Sequence, residues 1–172
     1  ALYRCKDCGI YFSSFRPNKE ENDRYYKNYM EEEYIKDRTI IEPNFEQRRH
    51  EYNENNGYAM ELQIRKSMMK KMFSRYIDFS KIEKVLDYGG ARGEFIIDEF
   101  KNAQKYVYDV DTIEPINNEI KKITKSELTK NKFDFIQCCH TLEHVSYPMD
   151  LVAEMISVLK LGGYLYIEVP FE

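Results

Sequence analysis

The segment from Val85 to Phe95, VLDYGGARGEF, constrains the fold of this chain more than any other stretch. Apolar residues lead into an acid, three glycines follow within five residues, and an amphipathic run, EFIIDEF, comes next. This order predicts a strand that turns sharply into a helix. Glycines in such a turn permit positive φ angles and a close approach of backbone to ligand, and the amides that open the next helix point at that ligand. Asp87, at the end of the strand, is an acceptor suited to a cationic or hydroxyl-bearing group and unsuited to a pyrophosphate.

The composition restricts the class of protein. The chain has 172 residues and 42% hydrophobic content, which suffices for one domain with its own core and an appendage. A net charge of -4, from 30 acids and 26 bases, gives no electrostatic reason to expect nucleic acid as a partner. Because no apolar run approaches the roughly 18 residues of a membrane span and the N-terminus lacks a signal-peptide core, we expect a cytoplasmic protein with no membrane partner.

The four cysteines form two close pairs, Cys5 with Cys8 and Cys138 with Cys139, unlike the disulfide framework of a secreted domain. Cys-x-x-Cys followed by glycine is typical of one zinc knuckle, so Cys5 and Cys8 are candidate metal ligands in a segment covering residues 1–17. Zinc takes four ligands in structural sites, and no second pair follows nearby. The partner knuckle would then precede Ala1, or the two thiols are free surface cysteines.

Residues 18–80 are predicted to form a helical cap. Four tyrosines in a charged stretch, residues 18–37, are spaced to lie on one side of a helix, where they either pack on a core or form a lid over a small-molecule site. Further helices are expected over residues 45–54 and 58–76. The tyrosines are Tyr25, Tyr26, Tyr29 and Tyr34, and the expected buried stripe of the last helix is Leu62, Met69, Phe73 and Tyr76.

From residue 81 to 172 short apolar strands alternate with helices, which predicts an α/β fold with a parallel sheet. Strands are expected over residues 85–88, 105–110, 119–123, 133–139 and 164–169, with helices over 94–102 and from 149 to near Gly162. Ligands of open parallel sheets bind beyond the carboxyl ends of the strands, near the switch in strand order. An acid that ends the second strand is placed to accept ribose hydroxyls, as in nicotinamide enzymes. The glycine turn, however, departs from the G-x-G-x-x-G of dinucleotide folds.

VLDYGGARGEF resembles the first motif, D-x-G-x-G-x-G, of class I S-adenosylmethionine-dependent methyltransferases. Asp87, Gly89 and Gly93 match, and Ala91 replaces the middle glycine. The stretch from residue 133 to Pro170 is similar to the family's fourth-strand motif, the following helix and the turn into the fifth strand. The resemblance implies a Rossmann-like methyltransferase core over residues 81–172. The family has two further strands after this point, so we expect either a fragment or a sheet that closes by self-association into a homo-oligomer.

The N-terminal part is similar to bacterial small-molecule methyltransferases with a zinc-binding segment, several of which act on nucleotide-linked sugars or cell-surface glycans. The resemblance implies S-adenosyl-L-methionine as cofactor, structural zinc, and a small-molecule acceptor such as a sugar, glycan precursor or nucleotide sugar. It places the amino-acid part of the cofactor on Asp87 and the glycine loop, and the ribose on Asp109 or Asp111, with Asp109 preferred. The implied cofactor set is Asp87, Gly89, Gly90, Ala91, Gly93, Asp109, Asp111, Cys139 and His140.

The segment HTLEH supplies the candidate catalytic residues His140, Glu143 and His144. It also satisfies the zinc-peptidase pattern H-x-x-E-H, but that chemistry needs one face of a long helix, and here the residues directly follow a buried strand. A divalent metal at the transfer site and a loop-ordering role for Glu143 and His144 are the alternatives. A general base must titrate near neutrality, which His140 or His144 fits best by residue type. The competing function is a non-catalytic, degenerate cofactor module with a zinc-knuckle interaction segment.

Overall fold

A computed structural model describes residues 2–13, 15–27, 31–54, 56–111 and 113–170. The chain starts with a small antiparallel hairpin, continues through four helices and ends in a five-stranded α/β unit. That unit also contains two short 3-10 helices, Phe79–Lys81 and Leu142–His144. The elements are β1 (Leu2–Arg4), β2 (Tyr11–Ser13), α1 (Lys19–Lys27), α2 (Glu32–Ile41), α3 (Phe45–Glu54), α4 (Gly57–Phe73), β3 (Lys84–Tyr88), β4 (Gln104–Tyr108), β5 (Ile120–Lys122), α5 (Lys125–Lys130), β6 (Phe133–Cys139), α6 (Pro148–Val158) and β7 (Leu159–Glu168).

The large sheet has the strand order β5-β4-β3-β6-β7, and every pairing in it is parallel. The predicted Rossmann-like α/β fold is therefore confirmed. The order reverses at β3, which pairs with β4 on one side and with β6 on the other. A crevice opens at such a switch point beyond the carboxyl ends of the strands, so the residues after β3, β4 and β6 share one site.

Both faces of the sheet are covered. The central strands β3 and β6 contribute side chains without solvent exposure, including Val85, Leu86 and Ile136. Met69 and Phe73 of α4 cover one face, together with the segment that follows the glycine loop. The other face is covered by residues of α5 and α6, namely Leu128, Met155 and Val158. Burial of each large apolar side chain stabilises the fold by about 1.5–3 kcal/mol, so this double covering contributes strongly to the stability of the sheet.

The prediction of a helix over residues 94–102 is wrong. The segment forms successive turns, with hydrogen bonds from Ile96 N to Gly93 O and from Phe100 N to Ile97 O. Because Ile96, Ile97 and Phe100 all insert into the core beneath α4, the backbone follows the packing rather than the helical period. Tertiary contacts override local propensity here.

Three smaller expectations also fail. Helix α4 ends at Phe73, so Tyr76 is 71% exposed rather than part of the buried stripe, and Leu62 is only half-buried. Helix α6 ends at Val158 instead of near Gly162. The first residues of β7 form a bulge. Phe133 pairs with Leu159, but Phe135, only two residues on in β6, pairs with Tyr164.

The tyrosine-rich stretch forms two helices, α1 and α2, rather than one. The tyrosines nevertheless gather, because the Tyr25 ring lies 4.9 Å from the ring of Tyr26 and 5.3 Å from that of Tyr34. Tyr29 of the predicted stripe lies outside the described residues. Within the described ranges, no helix has both the length and the apolar character needed to cross a bilayer.

Candidate functional site

The glycine loop after β3 packs tightly against its surroundings. Gly89 has φ 71° and donates its N–H to the carbonyl of Tyr108 at 2.7 Å. A Cβ on Gly89 would overlap the side chain of Thr141, and a Cβ on Gly90 would overlap the carboxyl group of Asp87. Glycine is therefore required at both positions, since any side chain would displace the groups that lie at the strand ends.

Asp87 is completely buried under this loop. Neither of its oxygens, nor the amide group of the neighbouring Gln137, has a hydrogen bond of directed geometry within the described part of the chain. Burial raises the pKa of Asp87 to about 7, a rise that Gln137 reduces and the charge of Asp109 reinforces. A buried carboxylate without a donor is costly, so this group is set up for a donor or cation from a ligand.

Ala91 adopts the left-handed conformation expected of the glycine it replaces, with φ 45°. Its N–H donates to Asp109 Oδ2 at 2.8 Å. This bond ties the loop after β3 to the end of β4. The methyl group is accommodated, but a non-glycine residue in this conformation stores strain.

The two acids after β4 differ in their partners. Asp111 is buried and forms an ion pair with Lys122, with Nζ 2.7 Å from Oδ1. Asp109 accepts two backbone N–H groups, from Ala91 and Asp111, and its pKa is raised chiefly by burial. No ion pair to Asp109 occurs among the described side chains, so its carboxylate retains the capacity to bind hydroxyls, whereas the charge of Asp111 is already neutralised.

The segment after β6 brings together the three candidate catalytic residues. His140 has φ 53°, and its Nε2 lies 3.2 Å from Glu168 Oε1. Glu143 Oε1 lies 3.7 Å from His140 Nδ1 and 3.8 Å from His144 Nε2. The ring of His144 in turn lies 5.2 Å from that of Tyr26 in α1. Cys139, at the end of β6, is buried, and burial raises the pKa of its thiol, so the thiol stays uncharged.

The geometry of this segment does not favour metal chemistry. His140 precedes a 3-10 helix of only three residues, so the two histidines do not lie on one face of a long helix as a zinc peptidase requires. Across the ranges that the structure describes, no group of three or more His, Cys, Asp and Glu side chains could hold a metal ion.

A cavity of about 350 Å³ opens at the switch point. Helix α1 covers it through Asn22, Asp23 and Tyr26, and α6 contributes Asp150 and Glu154. Of the sequence-predicted residues, the cavity wall includes Gly89, Ala91, Asp109, Asp111, His140 and His144. The others, Asp87, Gly90, Gly93, Cys139 and Glu143, are not part of the wall. Sequence reasoning missed Thr141, Tyr88, Tyr108 and Glu154 in the wall, and Arg65 and Glu168 behind His140. Glu168 could have been found, because it lies next to the last residue of a predicted strand.

The two N-terminal cysteines lie in the turn between β1 and β2 and do not contribute to the cavity wall. Cys5 accepts the N–H of Gly9 through its carbonyl at 3.0 Å, and Gly9 has φ 78°. The backbone amides of Cys8 and Asp7 lower the pKa of the Cys5 thiol. The turn therefore favours a thiolate, but it supplies two ligands only.

Comparisons with known proteins agree with the fold. A family model described as "Methyltransferase domain" matches residues 26–172. The plantazolicin methyltransferase BpumL, solved in complex with a pentazolic desmethylPZN analog and SAH, superposes with a TM-score of 0.51 at 13% identity, over 87% of this chain and 60% of that one. The complex with the monoazolic analog gives 0.50 at 14% identity, with the same shares. This chain thus spans about 60% of the length of BpumL, and no curated protein sequence matches it. With most of its length, including every strand of the large sheet, inside the matched range, the chain belongs to the methyltransferase domain family.

Proposed function

We propose that this protein transfers a methyl group from S-adenosyl-L-methionine to a small-molecule acceptor. The observation that carries the proposal is Asp87, a buried carboxylate without a directed partner beneath a glycine loop, with Asp109 beside it. Membership of the methyltransferase domain family supports the same reaction class.

The residues fit this cofactor. Asp87 and the backbone of residues 89–93 would hold its amino-acid part, and Asp109 would accept its ribose hydroxyls. The acids at the site match a cationic ligand and oppose a pyrophosphate, since like charges in a buried site repel strongly. When bound, the cofactor supplies an electrophilic methyl carbon on a positively charged sulfur.

The acceptor would occupy the part of the cavity beneath α1. Tyrosine rings and carboxylates in this part, Tyr26, Tyr147, Asp150 and Glu154, suit an acceptor with an apolar face and several hydroxyls. We therefore favour a sugar or glycan precursor. Both lysines of the wall are ion-paired, Lys19 with Asp23 and Lys125 with Glu154, so the phosphates of a nucleotide sugar would have to displace a carboxylate.

In methyl transfer the protein mainly aligns the acceptor, excludes water and removes a proton. Helix α1 covers the cavity and would exclude water, which matches the proposed role of the tyrosine-rich segment as a lid. His140 or His144 would accept the proton, because an imidazole changes charge near neutral pH. Glu143 lies close to both rings and would stabilise the imidazolium that forms.

We also propose that the hairpin is half of a structural zinc site. Cys5 and Cys8 would supply two thiolates, which the backbone amides of the turn favour. The chain then divides into a partial zinc knuckle over residues 1–17, a helical cap over 18–80 and a cofactor-binding core over 81–172.

The test is thermal unfolding with S-adenosylmethionine and with its demethylated product. A ligand at about a hundred times its dissociation constant stabilises the folded state by roughly 2.7 kcal/mol. The Asp109→Asn variant should lose this effect, and Asp98→Asn, which changes an exposed acid, should retain it. Absence of stabilisation by either ligand in the wild-type protein would refute the proposal. Binding without labelled-methyl transfer to neutral sugars or nucleotide sugars would favour the degenerate-module alternative.

A further inference from the structure

Glu168, at the carboxyl end of β7, is the meeting point of three side chains from different parts of the chain. Its Oε1 lies 2.6 Å from Arg65 Nη2 and 3.2 Å from His140 Nε2, and its Oε2 accepts the hydroxyl of Tyr166 at 2.5 Å. The parallel pairing of β6 with β7 sets Cys139 opposite Glu168, so the next residue, His140, arrives beside this carboxylate. The contact between Glu168 and His140 is thus built into the sheet.

Glu168 is held as a carboxylate. Partial burial opposes its ionisation, but the hydrogen bond from Tyr166 and the positive charge of Arg65 outweigh that effect, and the pKa of Glu168 lies below its usual value. Arg65 is fixed in turn by the ring of Phe95, with the guanidinium carbon 3.9 Å from the ring centroid. Arg65 Nη2 lies close to Glu168 without a hydrogen bond of directed geometry, so the arginine acts chiefly through its charge.

An ionised carboxylate can only accept hydrogen bonds, so the facing nitrogen of a neutral imidazole must carry the proton. That nitrogen is Nε2 of His140, and Nδ1 is then left unprotonated. The backbone fixes the ring further, because His140 is in the left-handed region and donates its N–H to the carbonyl of Glu168 at 2.9 Å. The second carboxylate near the ring, Glu143, lies 3.7 Å from Nδ1, where a positive charge would develop on protonation.

We propose that Glu168 is the positioning residue that fixes His140 as its Nε2–H tautomer and leaves Nδ1 to take the proton of the methyl acceptor. This inference rests on the proposed function. In the step concerned, a heteroatom of the acceptor forms a bond to the methyl carbon, and the carbon–sulfur bond breaks with its electron pair left on sulfur. The proton of that heteroatom passes to His140 Nδ1 and later to solvent.

The first test reads the tautomer itself, without cofactor or acceptor. Histidine-labelled protein gives distinct ¹⁵N shifts for the two nitrogens, and a His140→Gln variant assigns the signal. In the wild-type protein at a pH where His140 is neutral, we expect Nε2 to be protonated. In Glu168→Gln we expect a mixture of tautomers, because an amide can donate as well as accept.

Glu61→Gln is the matched control, since Glu61 is another carboxylate beside Arg65, at 3.8 Å, and lies on α4 rather than beside His140. It should leave the tautomer unchanged. A wild-type His140 protonated at Nδ1, or an unchanged tautomer in a folded Glu168→Gln variant, would overturn the proposal. The first of these outcomes is read from the wild-type protein, so it would overturn the proposal even if Glu168→Gln does not fold.

The second test uses turnover. Glu168→Gln should lower kcat by about 10- to 100-fold and distort the acid limb of the pH profile, while the dissociation constant of S-adenosylmethionine stays within about twofold. Equal kcat values in variant and wild type would contradict the positioning role. Failure of the proposed function is seen separately, as absence of cofactor binding by the wild-type protein.

Discussion

The left-handed backbone at Ala91 shows how one side chain can conflict with the turn that carries it. An L-residue in this region costs about 1–2 kcal/mol, and glycine removes that cost at some loss of chain entropy. We expect Ala91→Gly to stabilise the protein by about 0.5–1 kcal/mol in chemical denaturation. The matched control is Ala153→Gly on the exposed face of α6, where the same substitution should destabilise by about 1 kcal/mol. A loss of stability in Ala91→Gly would show that the methyl group packs favourably and that strain is not the dominant effect.

Asp87 should make the stability of the folded protein fall as the pH rises, which is the opposite of the usual effect of a carboxyl group. Its pKa is about 7 in the folded protein against an ordinary 3.8, so folding disfavours the ionised form. Well below pH 3.8 the carboxyl group is protonated in both the folded and the unfolded state and stability does not depend on pH through this residue. As the pH rises from about 4 to about 7 the stability falls, by at most about 4 kcal/mol. The Asp87→Asn variant lacks this pH-dependent contribution, so its advantage over the wild type should grow between about pH 4 and pH 7 and stay constant at higher pH.

Urea denaturation across that pH range measures the difference. Asp98→Asn, at an exposed acid paired with Lys66, should track the wild-type protein throughout. A constant difference between Asp87→Asn and wild type at every pH would mean that Asp87 is ionised in the folded state at acid pH too, and that its burial is compensated.

At the scale of the elements, hydrogen bonds directly before α1 join the proposed lid to the segment after β6. Arg16 Nη1 donates to the carbonyl of Ser146 at 2.7 Å, and the buried hydroxyl of Ser146 donates to the carbonyl of Pro17. These bonds lie directly before α1, so they set where that helix begins. We expect Arg16→Ala to loosen α1 and to speed its cleavage in limited proteolysis severalfold, because a charged hydrogen bond contributes about 1.5–3 kcal/mol.

Arg24→Ala is the control for this substitution, since it removes an exposed arginine from α1 itself. Proteolytic cleavage of the Arg24→Ala variant should stay at the wild-type rate, and cofactor binding should be unchanged in both variants. Equal rates for Arg16→Ala and wild type would place the attachment of the lid elsewhere.

The elements also show what sequence patterns can predict. The strands were predictable because alternating apolar runs and strand-end acids recur in a fixed order, and β6 was predicted with its correct bounds. The segment 94–102 was not, because Ile96, Ile97 and Phe100 have helical spacing but are buried by contacts with α4 that lie outside the local sequence. The partnership of Glu168 with His140 depends on the register of β6 against β7, which no local pattern encodes.

For the whole molecule, the zinc proposal and the cofactor proposal can be tested independently, because they involve different residues. The Cys5 turn and the cavity share no residue, and no third ligand accompanies the two cysteines within the described ranges.

We expect Cys5→Ser with Cys8→Ser to abolish any zinc found by elemental analysis. The thermal stabilisation by S-adenosylmethionine should be unchanged, because neither cysteine contributes to the cavity wall. The buried pair Cys138→Ser with Cys139→Ser is the contrasting variant, since it leaves zinc content intact and disturbs the core at the end of β6. Loss of cofactor stabilisation on mutation of the N-terminal pair alone would show that the hairpin is coupled to the site, and the three-part division of the chain would have to be abandoned.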